Sequence, residues 1–142
     1  MARYDLDQAI GFWLHLTHNR VRHRSEPLFQ AYGISPEQWA ILVRLWDRDD
    51  RSQTELAEAT FRDYPSISRM ISGLEERGYV VRARDLSDAR SHRIVLTKAG
   101  RDLETELVPK VRSFVARFVR GVSRQDMDVT LSTLRRLYDN LD

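Results

Sequence analysis

The fold of this chain is decided by residues 52–78, which have the sequence SQTELAEATFRDYPSISRMISGLEERG. Ser52 followed three residues later by Glu55 is a capping-box pattern, and it predicts a short helix that ends near Ala59. A second helix follows after a turn of three or four residues. Two short helices joined by a tight turn form a candidate helix-turn-helix.

The second helix of this pair has clear signals at both ends. Asp63 is a good N-cap and Pro65 fits a first helical turn, whereas the helix is expected to end at Arg77 with Gly78 in the left-handed cap position. Its outward face suits the major groove of DNA, because arginine and serine bind base edges and phosphates. That face comprises Tyr64, Pro65, Ser66, Ser68, Arg69 and Ser72. The alternative is an ordinary solvated helix surface rich in serine.

A β-hairpin is predicted directly after the helix pair. Residues 79–84 and 92–96 are rich in β-branched and aromatic side chains, and the polar residues 85–91 join them as a protruding tip. Arg90 lies beside this tip, where it suits a narrow minor groove, and Asp88 is placed to pair with it and orient it. The alternative is an exposed ion pair of little energetic consequence. The hairpin carries the basic residues Arg82, Arg84, Arg90, His92 and Arg93.

Helices are predicted on both sides of this central region. Apolar residues at helical spacing predict a first helix from Asp5 to about Arg24, and Pro27 predicts a break near residues 24–26 with Ser25 capping a further turn. Caps at Ser35, Thr97 and Ser123 predict a buried helix, a long helix over about 98–120 and a last helix. The expected fold class is therefore mainly α with a small β-hairpin, a winged helix-turn-helix plus a helical region.

Length and composition favour one domain that spans residues 1–142. The absence of cysteine excludes disulfides, thiolate metal sites and thiol redox sensing. No apolar run is long enough to cross a bilayer and the first residues lack a secretory signal, so we expect a cytoplasmic protein without a membrane partner. We expect no cofactor.

The positive charge is concentrated in the middle of the chain. The net charge is only +2, from 23 basic and 21 acidic residues, and 21 of the basic residues are arginine. Residues 62–101 contain nine basic and five acidic side chains, a local net charge of +4. This excess favours contact with a polyanion, although the preference for arginine over lysine also fits codon bias in a GC-rich genome.

Four motifs in this sequence resemble the MarR family of winged-helix transcriptional regulators. They are QTELAE at 53–58, SISRMISGLEERGYV at 66–80, DARS at 88–91 and LTKAG at 96–100. The resemblance implies a homodimer that binds a pseudo-palindromic operator in double-stranded DNA, often as a repressor released by a small aromatic or phenolic ligand. It also implies dimerisation helices at about 4–32 and 98–142 around a winged helix-turn-helix at about 35–97.

Together, the residues and the resemblance predict a set of DNA contacts. These are Tyr64, Pro65, Ser66, Ser68, Arg69, Ser72, Arg84, Asp88, Arg90, Ser91 and Arg93. Two departures from the family pattern put the operator sequence in doubt. Phe61 stands in the turn where the motif often has glycine, and Tyr64-Pro65 replaces a commoner polar pair.

Dimerisation is also expected from the residues themselves. The first and last helices carry apolar stripes but have no partner domain in the chain, and such stripes must be buried. A two-fold axis would place the recognition helices, the second short helix of each copy, about 34 Å apart, one turn of DNA.

A candidate effector site involves the first two helices. An aromatic cleft with a few polar groups suits a small aromatic acid, and the expected lining is Trp13, His15, Leu16, Asn19, Trp39 and Leu42. The alternative is that both tryptophans only fill the core. His15 and His18 have a spacing that permits metal binding, but no carboxylate pattern completes a metal site, so none is expected.

The sequence also bears on two other classes of function. A winged-helix module that binds a protein instead of DNA would use the same outward face of the second short helix. An enzyme is not expected, because the sequence has no Ser/His/Asp set, no phosphate-binding loop and no metal-ligand set.

Overall fold

The computed structural model describes residues 3–88 and 90–142, in two compact units, one running to Lys110 and the other from Val111 to Asp142. Ala89, in the predicted hairpin loop and the DARS motif, lies outside the described residues. The elements follow in the order α1 (Ile10–Gln30), α2 (Pro36–Asp47), β1 (Arg51–Ser52), α3 (Gln53–Ala59), α4 (Tyr64–Glu76), β2 (Val80–Arg84), β3 (His92–Leu96), α5 (Lys98–Phe118) and α6 (Arg124–Asp139). The predicted fold class is confirmed. Within the two described ranges, no helix has the length and apolar content needed to cross a membrane.

The helix starts that were predicted from capping residues are confirmed. The cap side chain accepts a hydrogen bond from the backbone N–H three residues further on at Ser35 (3.1 Å), Ser52 (3.0 Å), Asp63 (2.8 Å) and Ser123 (3.0 Å). At Ser35 the box is reciprocal, since the Gln38 side chain accepts from the Ser35 N–H. At Ser52 only half of the predicted box forms, because the Glu55 carboxylate accepts from Arg48 instead.

The predicted break in the first helix is wrong. α1 continues without interruption through residues 24–26 and includes Pro27 in its last turn. Ser25 caps nothing there; it is buried, and its hydroxyl donates to the Arg22 carbonyl at 3.2 Å. Proline in the last turn removes one helical hydrogen bond and crowds the carbonyl four residues back. Phe29, which is 5 % exposed, anchors the same turn in the core.

The sheet has one strand more than the predicted hairpin. β2 and β3 form that hairpin as expected, with Arg82 opposite Ile94. β1, a two-residue strand that the sequence patterns did not predict, pairs antiparallel with β3 and gives the order β1-β3-β2. Arg51 lies opposite Ile94 in this pairing. β3 is therefore the central strand and holds the hairpin against the start of α3.

The core of the first unit fixes the inner face of α4. Ile67, Ile71 and Leu74 of this helix are completely buried. The other large apolar side chains of this unit with no exposed surface are Ile41, Leu42, Leu45, Leu56, Val80, Ile94 and Leu107. Since one stripe of α4 is fixed in this way, the opposite stripe must face outward.

Two helices leave their apolar stripes uncovered. α6 buries none of its side chains, although it carries Val129, Leu131, Leu134 and Tyr138. On α1 the large apolar residues Ile10, Trp13, Leu14 and Leu16 are each at least 41 % exposed. An exposed apolar stripe on a well-formed helix is typical of a surface that another chain covers.

Candidate nucleic-acid interface

The outward face of α4 begins at a firmly capped helix end. Asp63 accepts the backbone N–H of Ser66 at 2.8 Å and its hydroxyl at 2.9 Å. These two hydrogen bonds, first from the backbone and then from the side chain, lower the pKa of Asp63. Tyr64 and Pro65 follow the cap and are exposed, as a contact with a ligand requires.

Arg69 lies one turn further along this face and is exposed. Its guanidinium donates to the Ser66 hydroxyl at 3.3 Å, which holds it loosely over the start of the helix. A guanidinium in this position can bind a guanine edge or a phosphate bidentately. The structure therefore places Arg69 where the sequence predicted it.

Ser68 and Ser72 are placed differently from their prediction. Both are half-buried, and the Ser72 hydroxyl donates to the Ser68 carbonyl at 3.0 Å. Arg82 of β2 donates to the Ser72 hydroxyl at 3.1 Å and to the Ser68 carbonyl at 2.7 Å. These two serines are thus engaged inside the protein, on the side of α4 that faces β2.

The turn between α3 and α4 requires an unusual backbone conformation. Phe61 has a φ of 55°, in the left-handed region that favours glycine, and its side chain is 74 % exposed. At this position the resemblance to the family predicts glycine. The turn keeps the geometry that glycine would allow, with backbone strain at phenylalanine.

We call residues 80–96, which comprise β2, β3 and the loop between them, the wing. Its exposed polar side chains include Arg84, Asp88 and Arg90, all predicted to contact DNA. Asp88 orients Arg90 through the backbone, since its carboxylate accepts the Arg90 N–H at 2.9 Å. The predicted pairing of the two side chains is not among the ion pairs of the described residues.

The wing loop is anchored by a buried acid. Asp85 is 7 % exposed and accepts the Ser87 hydroxyl at 2.7 Å and its N–H at 3.0 Å. These bonds, the hydroxyl first, lower the pKa of Asp85. The loop therefore leaves β2 in a defined direction.

Two predicted DNA contacts are corrected by the structure. Ser91 is only 7 % exposed, so its side chain does not present itself to a duplex. Arg93 donates to the Asp50 carboxylate at 3.0 Å and forms an ion pair with Glu55 at 3.6 Å. Arg93 therefore holds β3 against the β1–α3 segment, because acids on that segment attract its guanidinium.

Arg82 is a further functional candidate, although it is not among the residues predicted to contact DNA. Its side chain is 18 % exposed and forms an ion pair with Glu75 of α4 at 3.2 Å. The alternation of β2 carries the signal that could have identified it. Val80 and Arg82 share one face of the strand, and Val80 is completely buried.

The predicted effector residues of α1 are all exposed. The Trp13 indole donates to the Asp7 carbonyl at 2.9 Å, and the His15 and Asn19 side chains are within hydrogen-bond distance at 3.0 Å. Leu16 is 41 % exposed. These four side chains are accessible, but the chain alone does not enclose them.

The predicted effector residues of α2 pack inside the first unit, Leu42 completely and Trp39 in part. Leu42 is completely buried, so its prediction as a pocket residue is wrong. The Trp39 ring packs between Phe29 and Trp46, with centroid distances of 5.6 and 5.4 Å. This packing favours the alternative that Trp39 fills the core.

One cleft in the first unit lies elsewhere and has a volume of about 530 Å³. Its lining contains none of the predicted effector residues and consists of Tyr32, Tyr79, Ala99, Asp102, Leu103, Thr105 and Glu106. The Tyr79 hydroxyl donates to the Tyr32 carbonyl at 2.8 Å, which ties the end of the α1 segment to the end of the α4 segment.

Comparison with known proteins gives a consistent result. Residues 34–92 match the model of the MarR family. A probable transcriptional regulator from Pseudomonas aeruginosa is 30 % identical, with 94 % of this chain and 99 % of that chain covered and a TM-score of 0.82. A MarR transcriptional regulator from Methanosarcina mazei is 28 % identical over 93 % and 96 % of the two chains, with a TM-score of 0.78.

A further similar structure is a complex with nucleic acid. The transcriptional repressor CouR, solved bound to a 23-mer DNA duplex, is 28 % identical to this chain. The likeness covers 96 % of this chain and 99 % of that one, with a TM-score of 0.84.

Proposed function

This chain belongs to the MarR family of transcriptional regulators, and we propose that it acts as a homodimeric, sequence-specific DNA-binding repressor. In this proposal α4 enters the major groove of each half of a pseudo-palindromic operator, and the wing contacts the adjacent minor groove. A small aromatic or phenolic ligand releases the protein from DNA.

The observation that carries the proposal is a set of three exposed arginines without acidic partners. Arg69 projects from α4, and Arg84 and Arg90 project from the wing. Among the described residues, none of these three takes part in an ion pair with an acidic side chain. By contrast, Arg82 and Arg93 are neutralised by acids. Arginines without an acidic partner on two adjacent projections provide the charge that phosphates and a narrow minor groove attract.

The uncovered apolar stripes support a second copy of the chain as the partner. α1 and α6 each expose several large apolar side chains, and a closed two-fold dimer is the commonest way to bury such surfaces. Two copies would present two recognition helices, as a palindromic site requires.

The effector part of the proposal is supported by the exposed side chains of α1. Trp13 supplies an exposed aromatic ring, and the His15–Asn19 pair supplies exposed polar groups on another side of the same helix. Release would require that the ligand bind one arrangement of the dimer more tightly than the other. A thermal-shift screen with aromatic acids and phenols tests this part, because a ligand that binds the folded state raises its Tm. Loss of the shift in Trp13→Ala would locate the site.

The experiment that tests the DNA-binding part is selection from a random duplex library. Purified wild-type protein is incubated with random 30-bp duplexes, and the bound duplexes are amplified and sequenced. We expect an inverted repeat with half-sites about one helical turn apart. Affinity for the selected duplex should fall steeply with salt, since each phosphate contact releases counterions. A library that yields no enriched duplex, while a protein partner is captured through α4, would overturn the proposal.

Arg90→Ala is expected to weaken binding of the selected duplex by roughly tenfold or more, because it removes the side chain at the wing tip that is proposed to enter the minor groove. Fluorescence anisotropy at fixed salt measures the affinity. Arg44→Ala, which removes an exposed arginine of α2, is the matched control and should bind like the wild type. Equal affinities for wild type and Arg90→Ala would remove the wing from the proposed interface.

A further inference from the structure

We propose that Arg82 is a positioning residue, which fixes the wing against α4 so that both elements reach their grooves in one binding event. This inference rests on the proposed DNA binding and adds a residue that does not itself contact the duplex. The observation behind it is the set of hydrogen bonds that Arg82 makes across the junction between β2 and α4.

Arg82 is bonded to α4 through both its backbone and its side chain. Its backbone N–H donates to one carboxylate oxygen of Glu75 at 3.1 Å, and its guanidinium donates to the other at 3.2 Å. The guanidinium also donates to the Ser72 hydroxyl at 3.1 Å and to the Ser68 carbonyl at 2.7 Å. The bonds span two turns of the helix, so they fix the direction of the strand as well as its distance.

These contacts leave little of Arg82 for a phosphate. Both terminal guanidinium nitrogens donate within the protein, and the side chain is 18 % exposed. Glu75 supplies the compensating negative charge. Arg82 thus differs from Arg84, two residues along the same strand, which is exposed and takes no part in the ion pairs of the described residues.

The junction between β2 and α4 lies where it can set the orientation of the wing relative to α4. β2 leads directly from Arg82 to the loop that carries Arg90, and the outward face of α4 carries Arg69. Two contacts on one rigid body bind with a high effective concentration for the second contact, whereas a loosened wing loses that advantage. Arg82 should therefore affect the affinity for DNA only in a protein whose wing binds DNA. If the wing contact is removed, the effect of Arg82 on affinity should disappear.

A double-mutant cycle tests this dependence. The probe is the 30-bp duplex that wild-type protein selects from the random library, and the variants are Arg82→Gln, Arg90→Ala and the double variant. We expect Arg82→Gln to weaken binding about tenfold in the wild-type background and less than about twofold in the Arg90→Ala background. A residue with a general structural role, or one that contacts phosphate directly, would weaken both backgrounds equally.

Two further variants keep the test independent of folding. Glu75→Gln removes the acid from the exposed side of the junction, and it should show the same dependence on Arg90 with a smaller effect. Arg44→Gln makes the same change of charge on α2 and should leave binding unchanged. Circular dichroism melts establish that each variant is folded at the assay temperature.

The outcomes separate the two proposals. If the wild-type protein selects no duplex, the DNA-binding proposal fails. If it selects one and both Arg82→Gln and Glu75→Gln bind normally, or weaken both backgrounds equally, the positioning role of Arg82 is wrong and the DNA-binding proposal stands.

Discussion

Gly100 illustrates how a single hydrogen atom in place of a side chain allows two elements to approach. The carbonyl of Tyr79 accepts the Thr97 N–H at 3.0 Å, and a Cβ on Gly100 would lie 2.1 Å from that same carbonyl oxygen. The glycine of the LTKAG motif is therefore required by the contact between the first turn of α5 and the segment that follows α4. The atom that a Cβ would meet is a backbone oxygen, so no flexible side chain can rotate away to relieve the clash.

Gly100→Ala is expected to lower the free energy of unfolding by about 1–3 kcal/mol, because the added methyl overpacks a backbone contact. Urea denaturation measures the change. Gly11→Ala is the matched control, since a Cβ at Gly11 meets nothing within 4 Å in the chain. It should raise the stability by less than about 1 kcal/mol through reduced chain entropy. A neutral Gly100→Ala would show that the helix can shift away from Tyr79.

Phe61 is the opposite case to Gly100: a residue with a side chain occupies a left-handed conformation that favours glycine. We expect Phe61→Gly to be more stable than Phe61→Ala by about 1 kcal/mol, since only glycine adopts a positive φ without strain. Both substitutions remove the ring, so their difference isolates the backbone. Thermal or urea denaturation of the two variants measures it, and equal stabilities would contradict the strain.

At the scale of elements, the N-cap of α4 gives a dependence on pH. Hydrogen bonds from Ser66 lower the pKa of Asp63 in the folded state. The contribution of this carboxylate to stability is therefore complete above its unfolded pKa of about 4 and is lost as the pH falls through the lower, folded pKa. We expect Asp63→Asn to reduce the loss of stability on acidification below about pH 4.

Thermal melts of the wild type and Asp63→Asn between neutral and acidic pH measure this prediction. Asparagine is also a good N-cap, so the variant should fold normally at pH 7. An identical acid dependence in both proteins would mean that Asp63 does not titrate with a shifted pKa.

The elements that were predicted correctly are those with local signals. Ser35, Asp63 and Ser123 each satisfy an N–H within their own first turn, so three or four residues suffice to specify the helix start. The end of α4 is equally local, since Gly78 has a φ of 77° as its prediction required. Such signals do not depend on what the rest of the chain does.

The elements that were missed depend on distant partners. β1 exists because Arg51 and Ser52 pair with β3, about forty residues away in sequence, and nothing within the two residues themselves indicates a strand. α1 continues through Pro27 because Phe29 is held in the core. The local rule that proline interrupts a helix describes the isolated chain, and tertiary packing overrides it.

For the candidate site, the sequence predicted which arginines are exposed but not which arginines are paired with acids. The helix face of Arg69 and the hairpin positions of Arg84 and Arg90 correctly predicted that these three side chains are exposed. The engagement of Arg82 and Arg93 could not be foreseen from composition, since their acidic partners Glu75 and Asp50 come from other elements. Arginines of identical chemistry are thus divided into free and engaged groups by the fold alone.

At the scale of the whole molecule, the apolar stripe of α6 predicts the oligomeric state. Leu131→Glu should convert the proposed dimer to monomer, because a two-fold interface would bury two carboxylates, and the association constant should fall at least about a hundredfold. Size-exclusion chromatography with light scattering measures the mass. Ser132→Glu, the adjacent position on α6, is the control and should remain dimeric. A wild-type protein that is monomeric at all concentrations would contradict the proposal.

The hydrogen bond from the Trp46 indole to the Gly100 carbonyl, at 2.9 Å, gives the chain a built-in optical probe. Indole emission shifts to longer wavelength when water replaces a protein partner, and Trp46 is half-buried whereas Trp13 is half exposed. If Trp13 is replaced by phenylalanine, the remaining emission comes from Trp39 and Trp46, which lie in contact. Undocking of the first turn of α5 can then be followed in solution without a dye, at the same residues that the glycine substitution perturbs.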